Sequence, residues 1–474
     1  MSVPHLRRTM RLTDVALFFL LACTNLQWVA TAAAAGPSSL TIWVAGGLAM
    51  FVPLSVVVVY LSSHYPDEGG LYVWSKRAFG PFAGFITGWT YWCTNLPYFP
   101  ALLYFMAGNG LFIVGGGAAA SGGGSPLYFI LMSVLGFTFA TVINVLGMDV
   151  GKWLNNVGAV SRWIVTLLLI ALGAIVLWRF GAATPITLHA VKPGFALKDL
   201  IFWSVIAFAW TGPESVPFMA GEVEDPRRSI PRGLAIAAPG VAIVYVLGTA
   251  AILIVLNSAH VSGLYGVMQA ITQASNRMGW GALAPLAAVL VTISCLGSTG
   301  AWLGAVARIP FVAGIDRFLP PAFGRVHPRW GSPAVALITQ SAIAMVFVLL
   351  GQGGTTVKGA YDVLVSATVL ITMVPFLFVF ASAMRLRGDP APNRVRIPGG
   401  RATVFACALV GMLTTLTALV LAVFPAEDEP NKPLAVAKIL GLTALMIGSG
   451  VAVYAAGRRR ANAQQAAAPA QASL

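Results

Sequence analysis

The stretch FAWTGPESVPFMAGEVEDPRRSIPRG, Phe208 to Gly233, decides how this chain is read. It lies in an apolar segment that begins near Ile201 and is interrupted by Thr211, Gly212, Pro213 and Glu214. Pro213 has no N–H, and its ring clashes with the carbonyl four residues back, that of Ala209. Gly212 adds backbone freedom. A broken helix with a carboxyl group beside the break is costly in lipid, so the break is read as half of a site. The second half of the stretch, Glu222 to Gly233, carries Arg227, Arg228 and Arg232 and reads as a cap on the cytoplasmic face.

Of the 474 residues, 58% are hydrophobic and 9% charged, against roughly 25% charged in an average soluble domain. That is the composition of an all-α polytopic membrane protein. Crossing a bilayer takes about 20 apolar residues. About twelve such segments are expected, near 13–34, 40–62, 80–108, 126–147, 154–178, 200–220, 234–256, 281–307, 333–351, 360–383, 402–424 and 433–456. The connections are short, so residues 1–456 form one integral unit, and the low-complexity run 457–474 reads as a disordered tail. The net charge of +14 is an orientation signal rather than a nucleic-acid footprint. With the N-terminus in the cytoplasm, most of the 29 lysines and arginines fall on inner connections and termini. Both termini are then cytoplasmic, and the basic faces meet the anionic lipid of the cytoplasmic (inner) membrane.

Cys23, Cys93, Cys295 and Cys407 sit in apolar segments without CxxC pairing or histidine partners, so free thiols are expected. The sequence has no metal-ligand cluster, nucleophile triad, Walker motif or dinucleotide loop. It therefore predicts no metal, no cofactor and no enzyme. The glycine-rich run 117–124 reads as a flexible outer loop.

Thr24, Asn25 and Gln27 interrupt the first segment near its middle. Such groups either bond to neighbouring helices or mark a site. The sixth segment breaks at the matching place, and paired interruptions in corresponding halves point to a transport site between inverted repeats. The third segment is crowded with Trp89, Tyr91, Trp92, Tyr98 and Phe99 beside Asn95; most are read as packing, one or two as facing a substrate. Arg162 lies inside the fifth segment. It either faces the bundle interior, where its permanent charge opposes sodium binding, or snorkels to the interface. The eighth segment has a small-residue face (Ser294, Gly297, Ser298, Gly300, Gly304) suited to close helix approach, with Trp302 as an aromatic wall or gate.

These residues carry a resemblance. YPDEGGLYVWSKRAFG (Tyr65–Gly80), FAWTGPES followed by GEVEDPRRSIPRG, CLGSTGAW (Cys295–Trp302) and the loop RFLPPAFGRVHPRWGSP together resemble the amino acid–polyamine–organocation superfamily of secondary transporters, over nearly the whole chain. The last two are similar to bacterial arginine/agmatine-type exchangers. The resemblance implies a five-plus-five inverted-repeat (LeuT-like) core, 13–178 and 200–383, with broken helices one and six and two further helices at 402–456. It implies that Phe208 closes over the substrate, that Trp302 lies below or beside it, and that Glu214 is a proton-linked gating carboxylate. Arg162 falls where some proton-coupled members place a lysine in the position of a sodium ion. One departure stands out: Cys23-Thr24-Asn25-Leu26-Gln27 replaces the glycine-containing turn whose N–H groups hold a substrate carboxylate.

The leading expectation is a sodium-independent amino acid carrier working by exchange or proton coupling. Its substrate sits between Cys23–Gln27 and the Ala207, Phe208, Ala209, Trp210, Thr211, Gly212 stretch. Free carbonyls of Ala207–Trp210 accept from the ammonium group, and a half-helix N-terminus after Pro213 favours the anionic end. The alternative is a polyamine or organic-cation carrier on the same fold; less favoured is a non-transporting sensor.

Overall fold

The computed structural model describes residues 8–114, 125–194, 197–316, 318–351, 357–389, 395–424 and 432–467. The glycine-rich run 117–124 lies outside them. The elements are α1 (Leu12–Ala22), α2 (Leu26–Ala34), α3 (Ser38–Gly46), α4 (Val52–His64), α5 (Leu71–Phe79), α6 (Pro81–Gly110), α7 (Pro126–Val145) and α8 (Met148–Phe180). They continue with α9 (Leu197–Ala209), α10 (Pro226–Val255), α11 (Gly266–Arg277), α12 (Leu283–Ile315), α13 (Ala334–Gly351), α14 (Val357–Leu386), α15 (Gly400–Leu421) and α16 (Lys432–Ala467). Among the described residues, 10 helical segments are long and apolar enough to cross a membrane. The two other expected spans are α13, a shorter apolar helix, and 200–220, which is no continuous helix.

Both breaks fall where the sequence puts them. The first span divides into α1 and α2 around Cys23–Asn25, and Asn25 starts α2 as its N-cap, accepting from the Gln27 N–H at 3.3 Å. The sixth span stops with α9 at Ala209, and the chain resumes only as a short 3₁₀ helix, Val216–Glu222. No α-helix begins directly after Pro213, because Pro217 and the non-helical backbone of Met219 prevent one. The expected half-helix N-terminus for an anionic group is therefore not formed there.

α8 packs most extensively on α12. A Cβ on Gly158 would lie 2.7 Å from the Gly297 Cα, so the small-residue face of α12 serves close backbone approach as expected. Arg162 stands one turn beyond Gly158, and the close approach brings it against Ser294 and Ser298. α6 is buried on nearly all sides.

On the face carrying the basic connections, the chain before α1 is tied to the end of the broken sixth span. The Thr9 and Met10 N–H groups donate to the Glu222 carbonyl at 2.9 and 3.0 Å, and the Glu224 N–H donates to the Met10 carbonyl at 2.9 Å. Beneath this pairing Arg308 grips the Glu222 carboxylate at 2.9 and 2.8 Å, with both side chains 2% exposed. Arg308 directly follows the eighth apolar segment, 281–307, where a basic residue is expected to belong to an inner connection. The structure places it inside α12, where a buried carboxylate compensates it.

Glu68 sits beside this pair. The residue is partly exposed, but its carboxyl end is buried against the Gly221 N–H, which donates to it at 2.6 Å. Burial pushes the Glu68 carboxyl up to about 8, and the nearby Glu222 carboxylate adds to the rise, while Arg308 and the Gly221 N–H oppose it. The folded protein thus holds a proton that an unfolded glutamate releases near about 4.3. This contribution is fully present below the unfolded value and is lost as pH rises through the folded one. The melting temperature of the wild type is expected to fall, relative to Glu68→Gln, between about pH 5 and pH 9. Parallel melting curves across that range would contradict this assignment.

The expected tail begins at Gly457, whereas α16 continues to Ala467; residues 468–474 lie outside those described.

Candidate functional site

The two breaks meet at a buried cavity. It is lined by Ala22, Asn25 and Trp28 from the first span, Tyr91, Thr94, Asn95 and Tyr98 from α6, and Phe208, Ala209 and Thr211 from the sixth. Tyr245 of α10, Trp302 of α12 and Thr372 of α14 close it. Its free volume is about 30 Å³, room for a water or two and too little for an amino acid. A larger guest needs a wall to move. Phe208 packs edge-on to Trp28 at 5.3 Å, and Trp302 edge-on to Tyr98 at 6.1 Å, so each expected gate is an aromatic leaning on another wall residue.

Of the sequence-predicted site residues, Asn25, Phe208, Ala209, Thr211 and Trp302 line this cavity. Cys23, Thr24, Leu26, Gln27, Ala207, Trp210 and Gly212 do not. Leu26 and Gln27 already belong to α2. Trp210 points away and donates to the Trp43 carbonyl at 3.0 Å, wedged among Trp43, Phe51 and Tyr245.

The carbonyls freed by the second break are not all free. The Ala209 carbonyl, the one Pro213 deprives of its helical partner, accepts from the Tyr245 hydroxyl at 2.8 Å. The Phe208 carbonyl accepts from the Thr211 N–H at 2.9 Å and the Thr211 hydroxyl at 2.7 Å. This corrects the expectation that the Ala207–Trp210 carbonyls stand open to an ammonium group: at membrane depth an unsatisfied carbonyl is too costly, and the chain satisfies two of them itself.

Glu214 is fully buried and bridges cavity and break. One carboxylate oxygen accepts from the Tyr91 hydroxyl at 2.5 Å, and the other from the Gly212 N–H at 2.9 Å. Its state is therefore felt both by a wall residue and by the backbone of the break. Gly212 has φ +126°, and a Cβ there would meet the Cys23 Cα at 2.8 Å and the Ala22 carbonyl oxygen at 3.1 Å. Only glycine lets the two breaks come this close. Gly212→Ala is expected to destabilise the protein by about 2–3 kcal/mol through strain and overpacking, read as a lower melting temperature. An unchanged melt would show that the breaks do not touch.

Arg162 takes the interior reading. It is 2% exposed. Its guanidinium donates to the Leu21 carbonyl at 2.9 Å and to the Thr24 carbonyl, and also to the Ser294 hydroxyl at 2.9 Å and the Ser298 hydroxyl. It thus caps the carbonyl end of α1 at the first break, where a helix's partial negative charge favours a cation.

Tyr98, Tyr245, Trp28, Thr94 and Thr372 are wall residues that the sequence does not single out as such. Tyr91, Tyr98 and Asn95 stand out in it only as part of an aromatic-rich segment. Tyr98 accepts from the Asn25 side-chain amide at 3.1 Å, which joins the third span to the first break.

A family model described as amino acid permease matches residues 14–447. The chain is 27% identical to an uncharacterized transporter of Legionella pneumophila subsp. pneumophila, across 90% of this chain and 92% of that one. It is 24% identical to a probable agmatine/putrescine antiporter of Lactococcus lactis subsp. lactis, across 84% of each. A transporter of Mycobacterium tuberculosis is 25% identical over 74% of this chain and 75% of its own.

Proposed function

Because the chain belongs to the amino acid permease family, within the amino acid–polyamine–organocation superfamily of transporters, we propose that it carries an amino acid across the cytoplasmic membrane without sodium, by exchange or proton coupling. It is a transporter rather than an enzyme. The observation that carries the sodium-independent reading is Arg162. A fixed guanidinium occupies the carbonyl end of α1, and a second cation beside it would meet direct repulsion in a low-dielectric interior.

The substrate lies in the cavity between the breaks. Its carboxylate is favoured at the N-terminus of α2, where Asn25 lines the cavity and the helix dipole presents its positive end. Its ammonium group is favoured by the aromatic faces of Trp28, Phe208 and Trp302 and by the tyrosine and threonine hydroxyls. Phe208 and Trp302 act as gates. Glu214 couples the proton: a protonated carboxyl donates where it had accepted, so the Tyr91 hydroxyl must turn from donor to acceptor while the other oxygen keeps the Gly212 N–H, and the wall of the cavity responds to the proton. Both termini face the cytoplasm, following the basic connections.

A second reading has three observations in its favour. The first break lacks glycine, the cavity wall holds no cationic side chain among the described residues, and one relative is named as an agmatine/putrescine antiporter. An amine without a carboxylate fits the same walls. Proteoliposome uptake at several pH values tests both. Glu214→Gln is expected to flatten the pH profile and slow transport about 10-fold, equivalent to about 1.4 kcal/mol in the barrier. Competition by an amino acid but not by its methyl ester supports the amino acid reading; competition by putrescine alone supports the amine. A wild-type pH profile in Glu214→Gln would overturn the coupling role.

A further inference from the structure

Two cavities outside the transport site lie side by side on the face that carries the basic connections. The first, about 380 Å³, is a trough between α4 and the start of α10, walled by Val52, Val56, Val59, Leu234, Ala235 and Ala238. The second, about 660 Å³, lies at the end of α4 and the entry to α15 and contains Arg396 and Arg401. Val395, Arg396 and Ile397 wall both, so the apolar trough runs directly into the cationic one. Both arginines are exposed, and neither is paired with a carboxylate among the described residues. Arg401 gives one N–H to the Gly388 carbonyl at 3.1 Å, and the adjacent Asp389 carboxylate is engaged by the Tyr65 hydroxyl.

We propose that the two cavities form one binding site for an anionic phospholipid, with an acyl chain along the α4–α10 trough and the headgroup phosphate on Arg396 and Arg401. Charge and shape together select the ligand. A small soluble anion uses the arginines and leaves the trough unused. A neutral acyl chain uses the trough and leaves two guanidinium groups unmatched. A phospholipid satisfies both, and a net negative headgroup avoids bringing a choline cation against two arginines. The site lies on the arginine-rich face, where basic pockets between membrane helices meet anionic headgroups. Guanidinium groups also suit phosphate better than ammonium does, because their donors form a planar fork.

The test uses delipidated, detergent-purified full chain and a melting curve. Dioleoyl-phosphatidylglycerol is expected to raise the melting temperature by roughly 3 °C or more through ligand linkage, and dioleoyl-phosphatidylcholine by distinctly less. Arg396→Gln/Arg401→Gln loses the phosphatidylglycerol increment while keeping the lipid-free melting temperature. Ala235→Trp fills the trough and leaves both arginines; it loses the increment as well. Glycerol 3-phosphate at the same concentration gives no shift. Native mass spectrometry supplies a second readout on Ala235→Trp should the double variant not fold: the wild type retains phosphatidylglycerol that this variant sheds. Equal stabilisation by the two lipids, an undiminished increment in a folded variant, or an equal shift from glycerol 3-phosphate would each overturn the proposal.

Discussion

Arg162→Ala is expected to lower stability by about 2–6 kcal/mol and to abolish transport. Two carbonyls at the first break, that of Leu21 in the last turn of α1 and that of Thr24 just beyond it, rely on this guanidinium. Each becomes a buried acceptor without its donor, and each such loss costs about 1–3 kcal/mol. No water reaches them readily at that depth. The Ser294 and Ser298 hydroxyls on α12 lose the same partner, so the first break and the α8–α12 contact loosen together. Arg162→Lys separates charge from geometry. It keeps the positive charge but cannot span four acceptors with a planar fork, so it should fold with an intermediate melting temperature. Size-exclusion profiles and melting curves of the purified variants check the order wild type, lysine, alanine. If alanine melts with the wild type, the guanidinium is not what holds the break.

Arg308→Met is expected to cost about 3–5 kcal/mol, because it leaves the Glu222 carboxylate buried and unpaired. The pair is bidentate and almost fully buried, and its carboxylate sits at the end of the sixth span where the chain before α1 also docks. The loss should therefore appear both as instability and as an unlatched basic face. Replacing both partners, Glu222→Gln with Arg308→Met, removes the uncompensated charge and should recover part of the stability. A double-mutant cycle by thermal melting measures this directly. Additive losses would show that the two side chains do not act as a pair.

Much of the fold was legible because membrane insertion punishes specific residues. Pro213 marks the second break by its missing N–H, and it even identifies Ala209 as the carbonyl that needs a new partner. Which partner answers was not legible. Tyr245 lies 36 residues away on an apolar helix, and nothing local distinguishes it. The same holds for Glu222 and Arg308, 86 residues apart, where charge patterning reads orientation and misses the pairing. Arg162 was recognisable as costly, but only the Gly158–Gly297 approach decides between interior and interface. The α6 wall was hidden for another reason. A helix buried on nearly all sides has no polar face to set its cavity side apart, so Tyr91 and Tyr98 looked like their neighbours Trp92 and Phe99. A sequence shows where a helix must release its carbonyls, not which side chains recapture them.

The central claim is that this chain alone carries substrate through the cavity between its two breaks. Counterflow in sodium-free liposomes tests it most directly. Purified protein is reconstituted, the vesicles are loaded with one unlabelled amino acid or amine, and entry of the labelled compound is followed. Labelled accumulation in loaded over empty vesicles is expected for at least one such compound, and its loss in Phe208→Ala, which removes a cavity wall and the proposed gate. Uptake that appears only when sodium is added, or that proceeds unchanged in Phe208→Ala, would contradict it.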